Sequence, residues 1–238
     1  KHYNHYKYGN INCNHTLPQY HTLNIDLASS ENLTGSLSMK GMRFPLHTIL
    51  TALTLYFLNN TSTRAISQFL KVTSNISVSH VTISSWVHKF APYFKEKAKI
   101  FNAQLDLNSD DWHADETVVF ISGKKYYLWL AIDSETRFVL AFHLTQARDS
   151  DAAFILMNQA KSMGKPNNFI TDRLPSYNEA VKTVLNESTH IPVPPMSSDT
   201  NNNLIESFNK TFKAWYKTKK GFNSFEKANN LIYVYISL

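Results

Sequence analysis

The hydrophobic period of the chain changes near residue 112, and this change constrains the fold more than any other feature. On its C-terminal side three apolar runs alternate with a period of two, as half-buried strands do: 117–121, 126–132 and 138–144. Gly123 marks the turn after the first run, and the polar residues 133–136 mark the turn after the second. The pattern predicts an antiparallel meander of three strands.

Helices and short strands alternate after the meander. We predict a helix that begins after Asp149, a strand at 169–171, a helix at 175–185, a strand at 191–193 and a long helix at 202–217. This order predicts an α/β fold with a mixed sheet flanked by helices, the ribonuclease-H-like arrangement. In such a sheet the first and fourth strands are neighbours, and the last helix packs across them.

The N-terminal side shows the three- and four-residue spacing of amphipathic helices. Apolar residues predict helices from Phe44, from about Thr63, and from about Ser79 to Pro92, with a short polar turn before the third. This small all-α region has a helix-turn-helix pattern, in which the last helix enters the DNA major groove. The polar residues on that helix that could face DNA are His80, Thr82, Ser85, His88 and Lys89.

These patterns divide the chain into four segments. Residues 1–43 are predicted to be a poorly ordered N-terminal segment, because they are rich in polar residues and show no sustained period. Residues 44–98 form the predicted helix-turn-helix region, 99–111 a linker, and 112–238 the α/β domain.

Composition limits the partners. The 238 residues include 24 Lys and Arg against 18 Asp and Glu, a net charge of +6 that favours a polyanionic partner. The single cysteine, Cys13, excludes an internal disulfide and a cysteine-rich zinc site. The longest apolar run, 49–58, is too short to span a bilayer, and no secretion signal is recognisable. We therefore expect a cytoplasmic, nucleoid-associated protein with no membrane partner.

Three carboxylates stand where the predicted fold brings its elements together. Asp115 precedes the first predicted strand, Asp172 follows the fourth, and Glu206 lies near the start of the last helix. Three neighbouring carboxylates repel one another unless a cation lies between them, and hard oxygen ligands suit Mg²⁺ or Mn²⁺. The prediction is a catalytic site with two such ions, about 4 Å apart, for phosphoryl transfer. Asp111 and Asp133 are lesser competitors, and each of the three could instead be an ordinary turn or cap residue.

The last predicted helix also carries a basic face. Glu206, Lys210, Lys213 and Lys217 are spaced by four, three and four residues, so they share one side, and Lys219 and Lys220 continue the row. Leu204, Phe208 and Trp215 are predicted to face the core, with Ile205 and Phe212 at the flanks. The lysines predict a groove that follows DNA phosphates, although a solvated basic face is the alternative.

Eight short motifs occur along the chain: MRFP at 42–45, SSWVHKFAP at 84–92, WHADET at 112–117, GKKYYL at 123–128, AID at 131–133, ITD at 170–172, NNLIE at 202–206 and KKGFNSF at 219–225. Together they resemble the DDE transposases of prokaryotic insertion sequences. The nearest branch forms cointegrates and joins a helix-turn-helix region to a ribonuclease-H-like core. Between Asp172 and Glu206 lie residues 173–205, and this gap of 33 residues is close to the family's usual one.

The resemblance implies an activity and a set of roles. It implies metal-dependent cleavage at the ends of the element, followed by attack of the freed 3′ hydroxyl on target DNA. It also implies that Asp115, Asp172 and Glu206 are the metal ligands, that Asn202 and Asn203 shape the approach to Glu206, and that Lys210 and Lys213 contact DNA. The implied partners are the element's terminal repeats and target DNA, bound by a homodimer or a larger assembly.

Two departures from the family pattern leave other functions open. The sequence ends at Leu238, where relatives usually continue into a tail, and it has no cysteine-paired zinc ribbon. One alternative is a truncated DNA-binding remnant that recognises element ends without completing catalysis. Another is a different nuclease on the same fold, because fold alone does not determine function.

Overall fold

The computed structural model describes residues 39–194 and 203–238. Three helices come first, followed by a five-stranded sheet and its flanking helices. Among the described residues, no helix is both long enough and apolar enough to cross a bilayer. The elements are α1 (Leu46–Phe57), α2 (Thr63–Ser74), α3 (His80–Asn102), β1 (Ser109–Ile121), β2 (Lys124–Asp133), β3 (Val139–Thr145), α4 (Ser150–Lys161), β4 (Pro166–Thr171), α5 (Ser176–Val184), β5 (Thr189–Pro192), α6 (Asn203–Lys219) and α7 (Phe225–Ile236).

The sheet confirms the predicted ribonuclease-H-like arrangement. Its strand order is β3-β2-β1-β4-β5. β1 pairs with β2, and β2 with β3, in antiparallel register, whereas β4 pairs in parallel with both β1 and β5. The first and fourth strands are therefore neighbours, as the prediction required.

The first strand is longer than its hydrophobic pattern indicated. β1 spans 13 residues and begins at Ser109, so Asp115 lies within the strand rather than before it. The polar stretch 109–114 becomes a strand because it has pairing partners on both sides, β2 and β4. Pairing across the sheet outweighs the weak local preference of such residues for strand.

The predicted linker is also shorter than expected. α3 continues through Pro92 to Asn102, so only residues 103–108 connect it to β1, instead of 99–111. The exposed Pro92 costs one backbone hydrogen bond, but the helix beyond it packs along α7. At one such contact the Lys95 ammonium donates to the side-chain carbonyl of Asn230, 3.0 Å away. Tertiary packing thus sustains a helix that the sequence pattern ended at the proline.

The predicted N-terminal segment lies mostly outside the described residues. Only 39–43 of the range 1–43 are described, and there Met39 and Met42 pack against the hydrophobic core. Three helices follow, α1, α2 and α3, and they begin close to the predicted residues. The side chain of Ser62 caps α2 and that of Ser79 caps α3, which confirms both predicted starts.

A single hydrophobic cluster joins the N-terminal helices to one face of the sheet. Trp215 of α6 is fully buried in it, and its indole N–H donates to the carbonyl of Tyr56 in α1, 3.1 Å away. Phe57 stacks on the same indole, and Tyr235 of α7 stacks on it with ring centroids 4.4 Å apart. Helix α7 was not predicted from the sequence, although Ser224 caps it and its buried residues have helical spacing. A second cluster covers the opposite face, between the sheet and helices α4 and α5.

Lys219 takes part in this junction. Its ammonium donates to the carbonyls of Tyr56 and Thr61, at 3.0 and 3.3 Å, and lies 3.4 Å from the centre of the Tyr56 ring. Lys220, the next residue, is exposed. Burial lowers the pKa of Lys219 to about 7. Lys219 therefore holds α6 to the C-terminal end of α1, unlike the exposed lysines earlier on α6.

The lowered pKa predicts a pH-dependent stability. The ordinary lysine pKa is about 10.4, so between pH 7 and 10 the unfolded chain binds more protons than the folded chain. The free energy of unfolding should therefore rise with pH over this window, by up to about 1.4 kcal/mol per pH unit from this group. Urea unfolding at several pH values should show that Lys219→Met loses this slope and Lys220→Met keeps it. Equal slopes in both variants would contradict the assignment.

Candidate active site

Strand register brings the two predicted aspartates together. Ala114 of β1 pairs with Thr171 of β4 in the parallel ladder, so the residues that follow them, Asp115 and Asp172, lie side by side. Carboxylate oxygens of Asp115, Glu116 and Asp172 lie within 4.8 Å of one another. Three acidic groups so close repel one another when ionised.

Asp115 is half-buried and faces α6. Its Oδ2 accepts a hydrogen bond of 2.8 Å from the side-chain amide of Asn209, which is itself buried. The pKa of Asp115 is raised to about 7, chiefly by burial and also by the neighbouring charges of Glu116 and Asp172, while the hydrogen bond from Asn209 opposes the rise. The site therefore holds a carboxylate whose charge the protein alone compensates poorly.

Glu116 is held by residues from two other elements. Arg148, in the connection between β3 and α4, donates to Oε1 through Nε at 2.5 Å and also through Nη2. The hydroxyl of Tyr177, on α5, donates to Oε2 at 3.2 Å. Burial raises the pKa of Glu116, and the Arg148 guanidinium opposes that rise. Glu116 thus has a hydrogen-bond donor at each oxygen, and one of the two donors, Arg148, also carries a compensating charge.

Asp172 lies in the segment that follows β4 and remains accessible. Its Oδ1 accepts from the backbone N–H of Leu174 at 3.0 Å, which fixes the turn after the strand. Its Oδ2 lies 3.8 Å from Nη2 of Arg148. One third of its side chain is exposed, so its remaining lone pairs face the solvent side of the site.

The donor set fits a hard divalent cation. Asp115 and Asp172 offer carboxylate oxygens with open coordination positions, and the pKa of Asp115 is raised. Mg²⁺ or Mn²⁺ would stabilise the ionised form of such carboxylates. Arg148 supplies one positive charge for three acidic groups, so the site keeps a net negative charge when these groups are ionised.

Glu206 is exposed in the first turn of α6, where the sequence placed it. Its side chain lies outside the group of carboxylates within 4.8 Å of one another, which among the described residues consists of Asp115, Glu116 and Asp172. Asn209, one helical turn further on, is the α6 residue that contacts Asp115. Asn203 begins α6 and is exposed, and Asn202 lies outside the described residues.

The two lesser aspartates have structural partners instead. Asp133 Oδ2 accepts from the backbone and hydroxyl of Thr136, at 2.7 and 2.5 Å, and so closes the turn between β2 and β3. Asp111 Oδ1 accepts from the side-chain amide of Asn168 in β4, at 2.8 Å. Asp133 therefore has a turn role, and Asp111 joins neighbouring strands β1 and β4.

The basic residues predicted to face DNA are mostly accessible. Lys210, Lys213 and Lys217 are exposed along one side of α6, as their spacing predicted. The buried side of α6 is centred on Ile205, Asn209 and Phe212 with Trp215, whereas Leu204 and Phe208 are only partly buried, so the predicted core stripe was rotated. On α3, Ser85 and Lys89 are exposed and His88 is half-buried, where burial and the charge of Lys227 lower its pKa.

Sequence reasoning missed four residues of this site: Glu116, Arg148, Tyr177 and Asn209. Arg148, Tyr177 and Asn209 are far from Asp115 in sequence. Glu116 is its neighbour, but it lies in the motif WHADET, in which Asp115 is the predicted acidic ligand. The available signals were an acidic pair, Asp115-Glu116, inside a strand, and a polar residue, Asn209, at a core position of an amphipathic helix. Buried polar groups of this kind need partners, and here the partners are each other or the site carboxylates.

Fold and site together define a class of protein. A sheet of ribonuclease-H-like order with clustered carboxylates at its neighbouring first and fourth strands is typical of enzymes that transfer phosphoryl groups with divalent metal ions. The family model DDE_Tnp_IS240, a DDE domain, matches residues 109–238. The chain belongs to this family, the DDE transposases of insertion sequences, which confirms the resemblance seen in its motifs.

Individual relatives agree with this assignment. The chain is 31% identical over 186 residues to the transposase for insertion sequence-like element IS431mec of Staphylococcus aureus, a match that covers 77% of this chain and 80% of that protein. It is 30% identical over 191 residues to the transposase for insertion sequence element IS257 in transposon Tn4003 of S. aureus, with coverage of 80% and 82%. Among solved structures, the HTLV-2 integrase catalytic core domain in complex with magnesium matches with 22% identity over 46% of this chain and 69% of that chain, at a TM-score of 0.37.

Proposed function

We propose that this transposase cleaves DNA at the ends of its insertion sequence and joins the freed 3′ hydroxyl to target DNA, with Asp115, Asp172 and Glu206 as ligands of Mg²⁺ or Mn²⁺. The observation that carries the proposal is the convergence of the Asp115 and Asp172 carboxylates through the β1–β4 register. When bound, a pair of divalent cations would stabilise the charge on the attacking and leaving oxygens of the phosphodiester.

Helix α6 would supply the third ligand, Glu206. Asn209 fixes this helix against Asp115, and Glu206 lies three residues earlier, where helix neighbours have Cβ atoms about 5–6 Å apart. A rotamer change of the exposed Glu206 therefore brings its carboxylate towards the aspartates. Glu116 is less suited to a metal, because Arg148 and Tyr177 already occupy both of its oxygens.

The other residues of the site prepare it for a polyanion. Asn209 donates to Asp115 and so orients its second oxygen, and the Leu174 N–H orients Asp172 in the same way. Lys210, Lys213 and Lys217 extend along α6 away from this point and would contact successive phosphates. Ser85, His88 and Lys89 on α3 would contact the terminal repeat, in a homodimer or larger assembly that holds two ends.

The test is a strand-transfer assay with full-length protein and duplexes copied from the DNA that flanks its gene. Mg²⁺-dependent joined products would support the proposal, and their loss in Asp172→Asn would assign them to this site. End binding without joining, in both the parent and the variant, would instead identify a DNA-binding remnant.

The lysine row predicts a change in salt dependence. Replacing Lys210 and Lys213 with glutamine should weaken DNA binding at low salt and reduce the slope of log K against log salt by about two, one for each lost phosphate contact. Fluorescence anisotropy at four salt concentrations measures this slope. Lys182→Gln, which removes an exposed charge on α5, is the control and should leave the slope unchanged. An unchanged slope in the double variant would assign the row to simple solvation.

A further inference from the structure

Arg148 is the one described cation that lies among the site carboxylates. It precedes Asp149, the N-cap of α4, and its guanidinium reaches Glu116 on β1 and comes within 3.8 Å of Asp172. The ring centre of Tyr127 lies 6.0 Å from its Cζ and flanks the same group. Residues from three separate strands and their connections thus define where this guanidinium stands.

Glu116 and Tyr177 hold the guanidinium from its buried side. The Glu116 side chain is only 4% exposed, and Tyr177 is fully buried. A buried carboxylate needs partners for its charge, and Glu116 obtains them from Nε and Nη2 of Arg148 and from the Tyr177 hydroxyl. The arrangement fixes one edge of the guanidinium and leaves it little freedom to swing.

The other edge of the guanidinium is open. The Arg148 side chain is 41% exposed, and no described residue accepts a hydrogen bond from Nη1. A rigid fork of N–H donors beside carboxylates, with one edge towards solvent, matches the geometry of a phosphate oxygen pair. The same charge would offset the repulsion between the acidic cluster and the DNA backbone.

We propose that Arg148 binds a phosphate of the DNA strand that reacts at Asp115 and Asp172, with Glu116 and Tyr177 as positioning residues for its guanidinium. This inference rests on the proposed function of the site. The proposal differs from simple charge neutralisation in what it predicts. Removing the charge of one particular phosphate should slow joining by the parent protein, but it should have little further effect once Arg148 is replaced.

The test removes the phosphate charge and the guanidinium separately and together. Duplexes copied from the DNA flanking the gene carry one methylphosphonate each, at successive positions within about three nucleotides of the joined 3′ end. At one position the unmodified protein should join DNA about 30-fold more slowly, which is the usual size of a charged hydrogen-bond pair. Arg148→Gln should join unmodified DNA about 30-fold more slowly than the parent. A methylphosphonate at that same position should then slow this variant by less than about a further 3-fold.

Controls separate this outcome from misfolding. Arg137→Gln removes an exposed arginine in the β2–β3 turn and should keep the full methylphosphonate effect. The double variant Glu116→Gln with Arg148→Gln leaves no buried charge unpaired and keeps the hydrogen bond to Tyr177, so it serves if the single variant does not fold. Equal, additive losses at every phosphate in the Arg148 variants would overturn the inference.

Measuring the same four combinations by DNA binding separates the proposed Arg148 contact from the proposed catalysis. Equilibrium binding of the pre-cut duplexes in Ca²⁺ measures the same phosphate contact without any joining step. A protein that fails to join DNA but shows the cycle in binding refutes the proposed catalysis and supports the Arg148 contact. If the protein joins DNA but the effects of the methylphosphonate and of Arg148→Gln simply add at every position, only the Arg148 contact is refuted.

Discussion

Asp115→Asn is expected to abolish strand transfer, with a rate at least about 1000-fold below that of the parent protein. The substitution keeps the size of the side chain and its contact with Asn209, but it removes the more buried of the two aspartate charges at the site. Because it also removes a like charge from an acidic cluster, folding should not suffer, and the melting temperature without metal should be unchanged or higher. Gel analysis of joined products and thermal unfolding measure the two effects.

Asp111→Asn is the matched control for this variant. Asp111 lies on the same strand, but it bonds to Asn168 rather than to the site, so strand transfer should stay within about 3-fold of the parent. End binding should persist in both variants. Strand transfer by Asp115→Asn at a rate near that of the parent would remove Asp115 from the catalytic centre.

Glu206→Gln is expected to have an effect of similar size. It should abolish joining, because α6 would lose the proposed third ligand, while the affinity for element ends stays nearly unchanged. Calorimetric titration with Mn²⁺ should also show affinity lowered by more than about 10-fold. Glu226→Gln is the control, since Glu226 is likewise exposed in the first turn of a helix, α7, and carries no proposed role.

The comparison with Glu116→Gln decides which glutamate serves the metal. If Glu206 is the ligand, Glu116→Gln should leave Mn²⁺ affinity nearly intact, because Glu116 is already occupied by Arg148 and Tyr177. Full activity in Glu206→Gln together with lost Mn²⁺ binding in Glu116→Gln would reverse the assignment.

Prediction from sequence succeeded where local pattern and tertiary structure agree. The meander, the cap at Asp149 and the exposed row Lys210, Lys213 and Lys217 all follow from period and spacing, and the structure has them. Prediction failed where distant packing decides. β1 extends back to Ser109 because two strands pair with it, and α3 passes Pro92 because α7 supports it. Neither partner can be recognised from the residues of the segment itself.

The site shows the same division. Asp115 and Asp172 could be chosen because the order of strands makes their ends neighbours, and the order of strands can be read from the hydrophobic pattern. The partners Arg148, Tyr177 and Asn209 could not, since a side-chain hydrogen bond depends on rotamer and register, which no periodicity records. Lys219 continues the exposed row along the chain, but it lies four residues after the buried Trp215 and so on the core side of α6, where its ammonium donates to the carbonyls of Tyr56 and Thr61.

By itself, the sequence determined the ribonuclease-H-like order of elements, the family and the pair of aspartates, because these depend on which residue types recur at which spacing. Only the tertiary structure decided which side chains share the site, that Glu116 is tied to Arg148 and Tyr177, and that Lys219 joins α6 to the N-terminal helices. The physical reason is that burial and hydrogen bonding are properties of neighbours in space. Segments as distant in sequence as β1, α5 and the β3–α4 connection become such neighbours only when the sheet forms.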